Sequence, residues 1–378
     1  MKILHTSNIT GIAGSENYLL NILPVLNKSK EIEIEFLVLT PLNCKGQEGK
    51  FREVLERKGV KCHTIYFSKS RLFNVIRKIN SIYILGNFQG IHSHLLHADL
   101  IISLTKRILN KKIVYFSTKH GYEENYNNKY GFDPSFKKKN IYLLLATYAE
   151  KVIDRSFAIS KGLQDLYIGL GISNKNKLDL IHYGFDLPDS LPFDSFFRRS
   201  DKQLVMVGRL TGFKGHKYAI EAVDILKNKI SDVKLLIVGS GHLETELKNY
   251  VKKLKLEPFI EFIGYHPEGR RFMDASDVVL IPSRAEGFGV VVLEAFAAKK
   301  PVVAFNVPSL DEHIIDNKSG RLLEPYNVQS YAEAIQELLE KPKKRDEMSN
   351  NAHQKLKSYY NLDRMLEETL CFYSNFFS

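Results

Sequence analysis

The sequence predicts an α/β protein built from two doubly wound, parallel-sheet domains. Three observations lead there. At 378 residues the chain is too long for one ordinary core. Short apolar runs alternate with helix-periodic segments along its length, the pattern of β-α-β units. The alternation breaks once, at Leu187–Ser200, a stretch with two prolines and no clear period, and then restarts. Residues 1–190 are therefore expected to form one domain and 201–360 the other.

In the first half, Ile3–Thr6 reads as a strand, followed by the loop Thr10–Glu16. Tyr18, Leu19, Ile22, Leu23 and Leu26 then recur at helical spacing, with Ser15 as N-cap and Gly14 at the strand-to-helix corner. Gly11 and Gly14 do not make the G-x-G-x-x-G dinucleotide fingerprint, which disfavours a nicotinamide-dependent dehydrogenase. Further strands are expected at Glu33–Thr40, Val60–Phe67, Gly90–His94, Lys112–Ser117, Ser156–Ile159 and Leu178–His182, with Ser160 capping the helix Lys161–Leu170.

The second half repeats the scheme. Strands are expected at Gln203–Val207, Val233–Val238, Ile260–Ile263, Val278–Pro282 and Pro301–Phe305, with helices between them. The segment Val290–Leu293 is strand-like by propensity. It lies between two strands that need a crossover, so a helix starting after Gly289 is expected there, with Glu294 in its second turn.

That segment holds the strongest chemical signal. Glu286 and Glu294, with seven residues between them, stand in an otherwise apolar, glycine-containing run. A lone carboxylate in such surroundings needs a partner. Free N–H groups at the start of the following helix make an anion site beside both carboxylates. Arg209 and Lys214 follow the strand Gln203–Val207 in a loop flexed by Gly208, Gly212 and Gly215. In a doubly wound sheet both loops fall at the carboxyl edge, where ligands bind. Arg can grip phosphate oxygens bidentately and Lys adds a point charge. Gly14 and His120 lie at the corresponding edge of the first domain. By itself His120 reads more readily as a satisfied surface or core histidine.

Composition narrows the classes. Apolar residues are 44% and charged residues 26%, as in soluble globular proteins, and no run reaches the roughly 20 apolar residues a bilayer requires. The first residues turn polar too soon for a signal peptide, so a cytoplasmic protein is expected. Cys44, Cys62 and Cys371 are too few and too scattered for a disulfide framework or a zinc site. His92, His94 and His97 suggest a metal site, but no carboxylate or cysteine completes the set, and no metal is expected.

The net charge of +11 is concentrated. Lys61, Lys69, Arg71, Arg77 and Lys78 lie in a span without acidic residues, and Lys137-Lys138-Lys139 form a second cluster. The span reads either as a solvated face or as a surface for anionic lipid. Leu72, Phe73, Val75, Ile76, Ile79, Ile82 and Tyr83 give it the pattern of an interfacial amphipathic segment. No nucleic-acid recognition motif accompanies the charge, and nucleic acid is not an expected partner.

Taken in order, Ala13-Gly14-Ser15-Glu16, His120-Gly121, Gly184-Phe185-Asp186, Val207-Gly208-Arg209-Leu210 with Lys214-Gly215, Val238-Gly239-Ser240-Gly241, Phe262-Ile263-Gly264, Ser283–Ala297 and Pro301–Ala304 resemble the retaining nucleotide-sugar glycosyltransferases of family 4. That family has the GT-B fold, in which two Rossmann-like domains face across a cleft. The resemblance implies transfer of a sugar from a nucleoside diphosphate sugar to a hydroxyl acceptor, a glycan or a lipid-linked molecule, with retention at the anomeric carbon. It implies that Arg209 and Lys214 bind the donor diphosphate and that Glu294 holds the ribose. Glu286 would bind the sugar, helped by backbone N–H groups near Phe288, Gly289 and Val290. Gly264 belongs to the same donor-binding set. Gly14 would approach the diphosphate from the first domain, and His120 would sit near the sugar. A last helix, about 361–378, would pack back on the first domain. Ala13 stands where the family often has a second glycine, His182-Tyr183 where Pro-Asn is common, and Lys300 where a glycine usually precedes the proline.

No Asp-x-Asp occurs, so no obligatory cofactor or metal is expected. For a lipid-linked acceptor, peripheral attachment to the inner face of the membrane is a further expectation. Two alternatives stay open: an epimerase or phosphorylase on the same fold, and a non-catalytic basic protein that binds membrane or nucleic acid.

Overall fold

A computed structural model describes residues 1–12, 14–68, 71–121, 141–187 and 194–377. The chain divides into two compact units, each an α/β layer structure. The first comprises residues 1–121, 134–186 and 362–378, and the second 122–133 and 187–361.

The first unit runs β1 (Lys2–Asn8), α1 (Gly14–Lys28), β2 (Glu33–Pro41), α2 (Gly49–Arg57), β3 (Lys61–Phe67), α3 (Leu72–Leu85), β4 (Gly90–His94), α4 (Leu96–Ile108), β5 (Val114–Lys119), α5 (Ile141–Val152), β6 (Arg155–Ala158), α6 (Lys161–Gly169) and β7 (Leu178–Leu180). Its seven strands are parallel in the order β3-β2-β1-β4-β5-β6-β7. Helices cover both faces, so the inner strands are buried on both sides and read as continuous apolar runs. Phe36, Leu37, Val38 and Leu39 of β2 are fully buried, each side chain worth about 2 kcal/mol in transfer terms.

The second unit runs β8 (Lys202–Val207), α7 (His216–Leu226), β9 (Val233–Val238), α8 (Glu244–Lys253), β10 (Ile260–Gly264), α9 (Gly269–Asp274), β11 (Val278–Ile281), α10 (Val290–Ala297), β12 (Val302–Phe305), α11 (Leu310–His313), β13 (Arg321–Leu323), α12 (Val328–Glu340) and α13 (Pro342–Tyr359). Its six parallel strands are ordered β10-β9-β8-β11-β12-β13. The strand order reverses between β1 and β4 in the first sheet and between β8 and β11 in the second. At such points adjacent loops diverge to opposite faces and leave a crevice at the carboxyl ends of the strands.

The segment Val290–Ala297 is a helix. Its valines favour a strand locally. But β11 and β12 are neighbours in a parallel sheet, so the chain between them must return along a face.

The last helix, α14 (Leu362–Phe377), belongs to the first unit. It carries an apolar stripe in which Met365, Phe372 and Tyr373 are buried. Phe372 stacks edge-on against Phe116 of β5 and Phe157 of β6, at 5.5 and 5.1 Å between ring centroids.

Two local expectations are corrected. Ser15 is not the N-cap of α1. The helix already includes Gly14, and the Ser15 hydroxyl donates to Glu16 at 3.1 Å. The apolar residues of Leu72–Tyr83 do not form a free membrane face. Val75, Ile76 and Ile79 of α3 are buried in a cluster with Leu4, Leu37, Ile91 and Ile102, and Leu72, Ile82 and Tyr83 pack on it. Phe73 is the member that stays exposed, and Ile84 and Leu85 join it there. Arg71, Arg77 and Lys78 are exposed on the same helix or at its start. Lys69, Ala13 and the Lys137–Lys139 cluster lie outside the described residues. No helix among the described residues is long and apolar enough to cross a membrane.

Candidate functional site

In the second unit the crevice between β8 and β11 is lined by the two loops that carried the sequence signal. After β8 the chain turns through Gly208 and Arg209, makes a short 3-10 turn at Gly212–Lys214, and enters α7 from Gly215. Gly215 has φ +74°, and a Cβ there would lie 1.9 Å from the Pro282 carbonyl oxygen at the end of β11. Only glycine lets the first loop press against the second. After β11, Ser283–Gly289 leads into α10. Gly289 also has positive φ (+83°), and a Cβ would meet Leu310 at 2.7 Å.

This approach pairs the key charges. Lys214 Nζ lies 2.6 Å from Glu286 Oε1, and the Ser283 hydroxyl donates to the same oxygen at 2.7 Å. Glu294, one turn into α10, is half-buried and makes no hydrogen bond or ion pair among the described residues. Burial raises its carboxyl pKa, an effect opposed by the positive charges of Lys214 and Arg270. The partner expected for Glu294 is thus supplied through space, and its oxygens remain available. Among the described residues no side chain caps α10, and with Val292 N–H bonded to the Gly289 carbonyl the N–H groups of Val290 and Val291 are the ones left for solvent or an anion.

Phe288 serves differently. Its ring is buried against His313, with centroids 4.4 Å apart, and its carbonyl is bonded by His313 Nε2. His313 Nδ1 in turn meets the Tyr360 hydroxyl at 2.8 Å. This packing fixes the backbone just ahead of α10. Arg209 is exposed in its loop. Gly264 ends β10 with φ +79° and open space around it. Arg270 and His313 escaped the sequence reading, and Ser283 entered it only as the first residue of the Ser283–Ala297 motif. Ser283 carried a weak signal by standing three residues before Glu286, and the other two carried none.

In the first unit the corresponding crevice, between β1 and β4, holds a histidine cluster. Parallel register places His5 beside His92, and His94 follows on the same face two residues later. The rings of His5 and His92 stack at 4.8 Å and those of His92 and His94 at 4.7 Å. His120, just past β5, joins them: its Nε2 lies 2.9 Å from His94 Nδ1. His97 is exposed at the start of α4 and takes no part. Among the described residues no group of His, Cys, Asp or Glu has the geometry to hold a metal. His5 and Tyr373 belong to this cluster and were not singled out by the sequence. Only strand register and the return of α14 bring them in. Gly14 opens α1, is exposed, and has open space where a Cβ would stand.

On the other face of β5 sits a charged core. Lys119 Nζ lies 2.8 Å from Asp99 and 3.0 Å from Glu150, all three buried. Ser93, Ser117 and Tyr115 complete the bonds to Asp99. This set is internally paired and holds α4 and α5 on the sheet.

The fold and the segment that carries these loops have known counterparts. Residues 189–355 match the family described as Glycosyl transferases group 1. The group 1 segment covers the β8 and β11 loops and both glutamates.

A glycosyltransferase of Methanocaldococcus jannaschii, itself uncharacterized, is 31% identical over 228 residues, 57% of this chain and 58% of that protein. The capsular polysaccharide biosynthesis glycosyltransferase CapM of Staphylococcus aureus is 26% identical over 58% of this chain and 61% of its own length. The chain thus spans about half to three-fifths of these relatives. HepE of Anabaena, solved with UDP-glucose, superposes over 99% of this chain and 100% of its own with a TM-score of 0.79 at 19% identity. The fold is GT-B: two Rossmann-like units, each with a parallel sheet.

Proposed function

We propose that the protein is a retaining glycosyltransferase of family 4. It moves a sugar from a nucleoside diphosphate sugar to a hydroxyl acceptor, in the synthesis of a cell-surface polysaccharide or glycolipid. The observation that carries this reading is the Lys214–Glu286 pair at the β8/β11 crevice, beside the unpaired Glu294 and the uncapped start of α10. One cation, two carboxylates and a helix N-terminus within one crevice suit a molecule with a diphosphate flanked by two sets of hydroxyls.

In this reading Arg209, Lys214 and the α10 N-terminus at Val290 meet the diphosphate, and Glu294 accepts hydrogen bonds from the ribose. Glu286 and the backbone at Phe288 and Gly289 hold the sugar, while Gly264 leaves room at the end of β10. Gly14 and His120 are assigned to the diphosphate and the sugar respectively. The bond from the anomeric carbon to the diphosphate oxygen breaks while the acceptor oxygen attacks from the same face, and the acceptor proton passes to the departing phosphate. The charge developing on that phosphate is what the cations and helix dipole stabilise. Glu286, already engaged by Lys214 and Ser283, serves to position the sugar rather than to attack it.

HepE was solved with UDP and with UDP-glucose, and CapM acts in capsular polysaccharide biosynthesis, so UDP-sugars come first in the test. A panel of UDP-, GDP- and ADP-sugars, scored by thermal shift, should pick out one base and sugar. Stabilisation by none of them overturns the reading. Turnover without an acceptor hydroxyl, or formation of sugar phosphate from free phosphate, redirects it to an epimerase or phosphorylase. We assign the acceptor to the first unit, whose exposed Phe73, Ile84 and Leu85 beside Arg71, Arg77 and Lys78 suit an anionic lipid surface. Vesicle binding indifferent to anionic lipid contradicts that assignment.

A further inference from the structure

The histidines of the first unit form one continuous hydrogen-bonded chain. His120 Nε2 meets His94 Nδ1 at 2.9 Å, and His94 Nε2 meets His5 Nδ1 at 3.0 Å. His5 Nε2 meets the Tyr373 hydroxyl at 3.2 Å, the same hydroxyl meets His92 Nδ1 at 2.5 Å, and His92 Nε2 meets Thr118 Oγ1 at 2.7 Å. Every ring nitrogen in the chain has a protein partner except one, Nδ1 of His120, which is buried and unpartnered among the described residues.

A neutral imidazole donates from one nitrogen and accepts at the other. A hydroxyl between two such rings donates one way and accepts the other. Direction is therefore conserved along the chain, and all four rings must carry the same tautomer. Either each is protonated at Nε2, with the chain donating from His120 toward Thr118, or each is protonated at Nδ1, with it donating the other way. The two differ at the free end. The first leaves a buried lone pair on His120 Nδ1, the second a buried N–H, and orphaned N–H groups are the rarer and costlier case.

The surroundings keep the rings neutral. Burial pushes the pKa of His5 and His120 down to about 3 and those of His92 and His94 well below the usual histidine range. The neighbouring charge, Lys119, acts in the same direction on His92 and His120. Tyr18, whose ring lies edge-on to His120 at 4.7 Å, is held uncharged by its own burial.

We propose that His94, His5 and Tyr373 are positioning residues that hold His120 as its Nε2–H tautomer, so that Nδ1 accepts a hydrogen bond from a substrate hydroxyl. The C-terminal helix thereby helps to set the hydrogen-bonding state of a residue eight strands earlier in the sequence. The role toward a substrate rests on the transferase reading. The tautomer relation does not.

The test is a long-range ¹H–¹⁵N correlation spectrum of the full chain labelled at histidine, without ligand, with rings assigned by single replacements. The expected result is four neutral rings, His5, His92, His94 and His120, all protonated at Nε2. A charged ring, a mixture of tautomers among the four, or four Nδ1–H rings overturns the proposal. In Tyr373→Phe either direction leaves one buried N–H without an acceptor, at His5 Nε2 or at His120 Nδ1, so the preference is lost and His5, His94 and His120 should populate both tautomers together. Unchanged tautomers in a folded Tyr373→Phe protein sink it, and the wild-type spectrum alone decides should that variant not fold.

Tyr373→Phe should keep the thermal shift given by the stabilising nucleotide sugar, while kcat falls about twofold, in proportion to the share of His120 left as Nε2–H. Mixed tautomers with unchanged kcat remove the role toward substrate. A wild-type protein that no nucleotide sugar stabilises, yet with four Nε2–H rings, defeats the transferase reading and leaves the relay standing.

Discussion

Lys214 and Glu286, 72 residues apart in sequence, meet at 2.6 Å in the crevice between β8 and β11. In the free protein the cation assigned to phosphate is neutralised by the carboxylate assigned to sugar. In the proposed function a diphosphate entering the crevice would share Lys214 and free Glu286 toward the sugar, making the pair a latch between the two ends of the donor.

Loss of the cation should therefore harm catalysis more than folding. Lys214→Ala should lower kcat/KM by about 10²–10³, the usual cost of removing one charge-stabilising donor. It should also weaken nucleotide-sugar stabilisation in a thermal-shift titration. The double variant Arg209→Ala, Lys214→Ala with near-normal turnover rules out the diphosphate assignment.

In the proposed function Glu294 trades stability for binding. Burial raises its folded-state pKa above the ordinary glutamate value of 4.5. The native state then binds more protons than the unfolded state between those two pKa values, so this group's contribution to stability is present at low pH and is lost as pH rises through the raised value. At neutral pH the ionised carboxylate is a net cost. Glu294→Gln should raise Tm by about 2 °C at pH 7, lose that advantage below pH 4.5, and still bind the donor less tightly. Calorimetry at several pH values and donor titration check both parts.

Gly215 is the hinge of the latch. Alanine there combines a left-handed backbone with a Cβ placed 1.9 Å from the Pro282 oxygen. The strain and the shift it forces are worth about 3 kcal/mol, and Tm should fall by about 6–12 °C. A Gly215→Ala protein as stable as the wild type shows that the loop does not press on the strand end.

Glu35 in β2 gives the first unit an acid-sensitive anchor. Burial pushes its carboxyl pKa up, but side-chain bonds from Lys2, His63 and Lys61 outweigh this and hold it at about 2. The sign is opposite to that of Glu294. This stabilisation is full above the unfolded carboxylate pKa and is lost as pH falls toward 2. Glu35→Gln should be less stable at pH 7 and show a shallower loss of stability between about pH 4.5 and 2, read by denaturant unfolding at each pH.

The elements themselves were legible because periodicity is local. The strand Val233–Val238, with its closing Gly239, needs nothing beyond its own residues to be recognised. The helix Val290–Ala297 was harder. Propensity pointed to a strand, and only the need for a crossover between neighbouring parallel strands reversed it. The amphipathic stretch at Leu72–Tyr83 misled for a related reason: apolar spacing shows that a face is buried, and it does not say whether against protein or lipid.

What the sequence determined by itself is the order of strands and helices, the loops that carry Arg209, Lys214, Glu286 and Glu294, and the run of motifs that suggested the fold. These depend on residues close together in the chain. What only the tertiary structure decided is which side chains meet. Lys214 touches Glu286 because Gly215 lets two loops close over the end of β11. His5, His92, His94, His120 and Tyr373 join because parallel register aligns β1 with β4 and α14 returns to the first sheet. A hydrogen bond needs its partners within about 3 Å, and across 368 residues, as between His5 and Tyr373, only the packing of the whole unit brings two atoms that close.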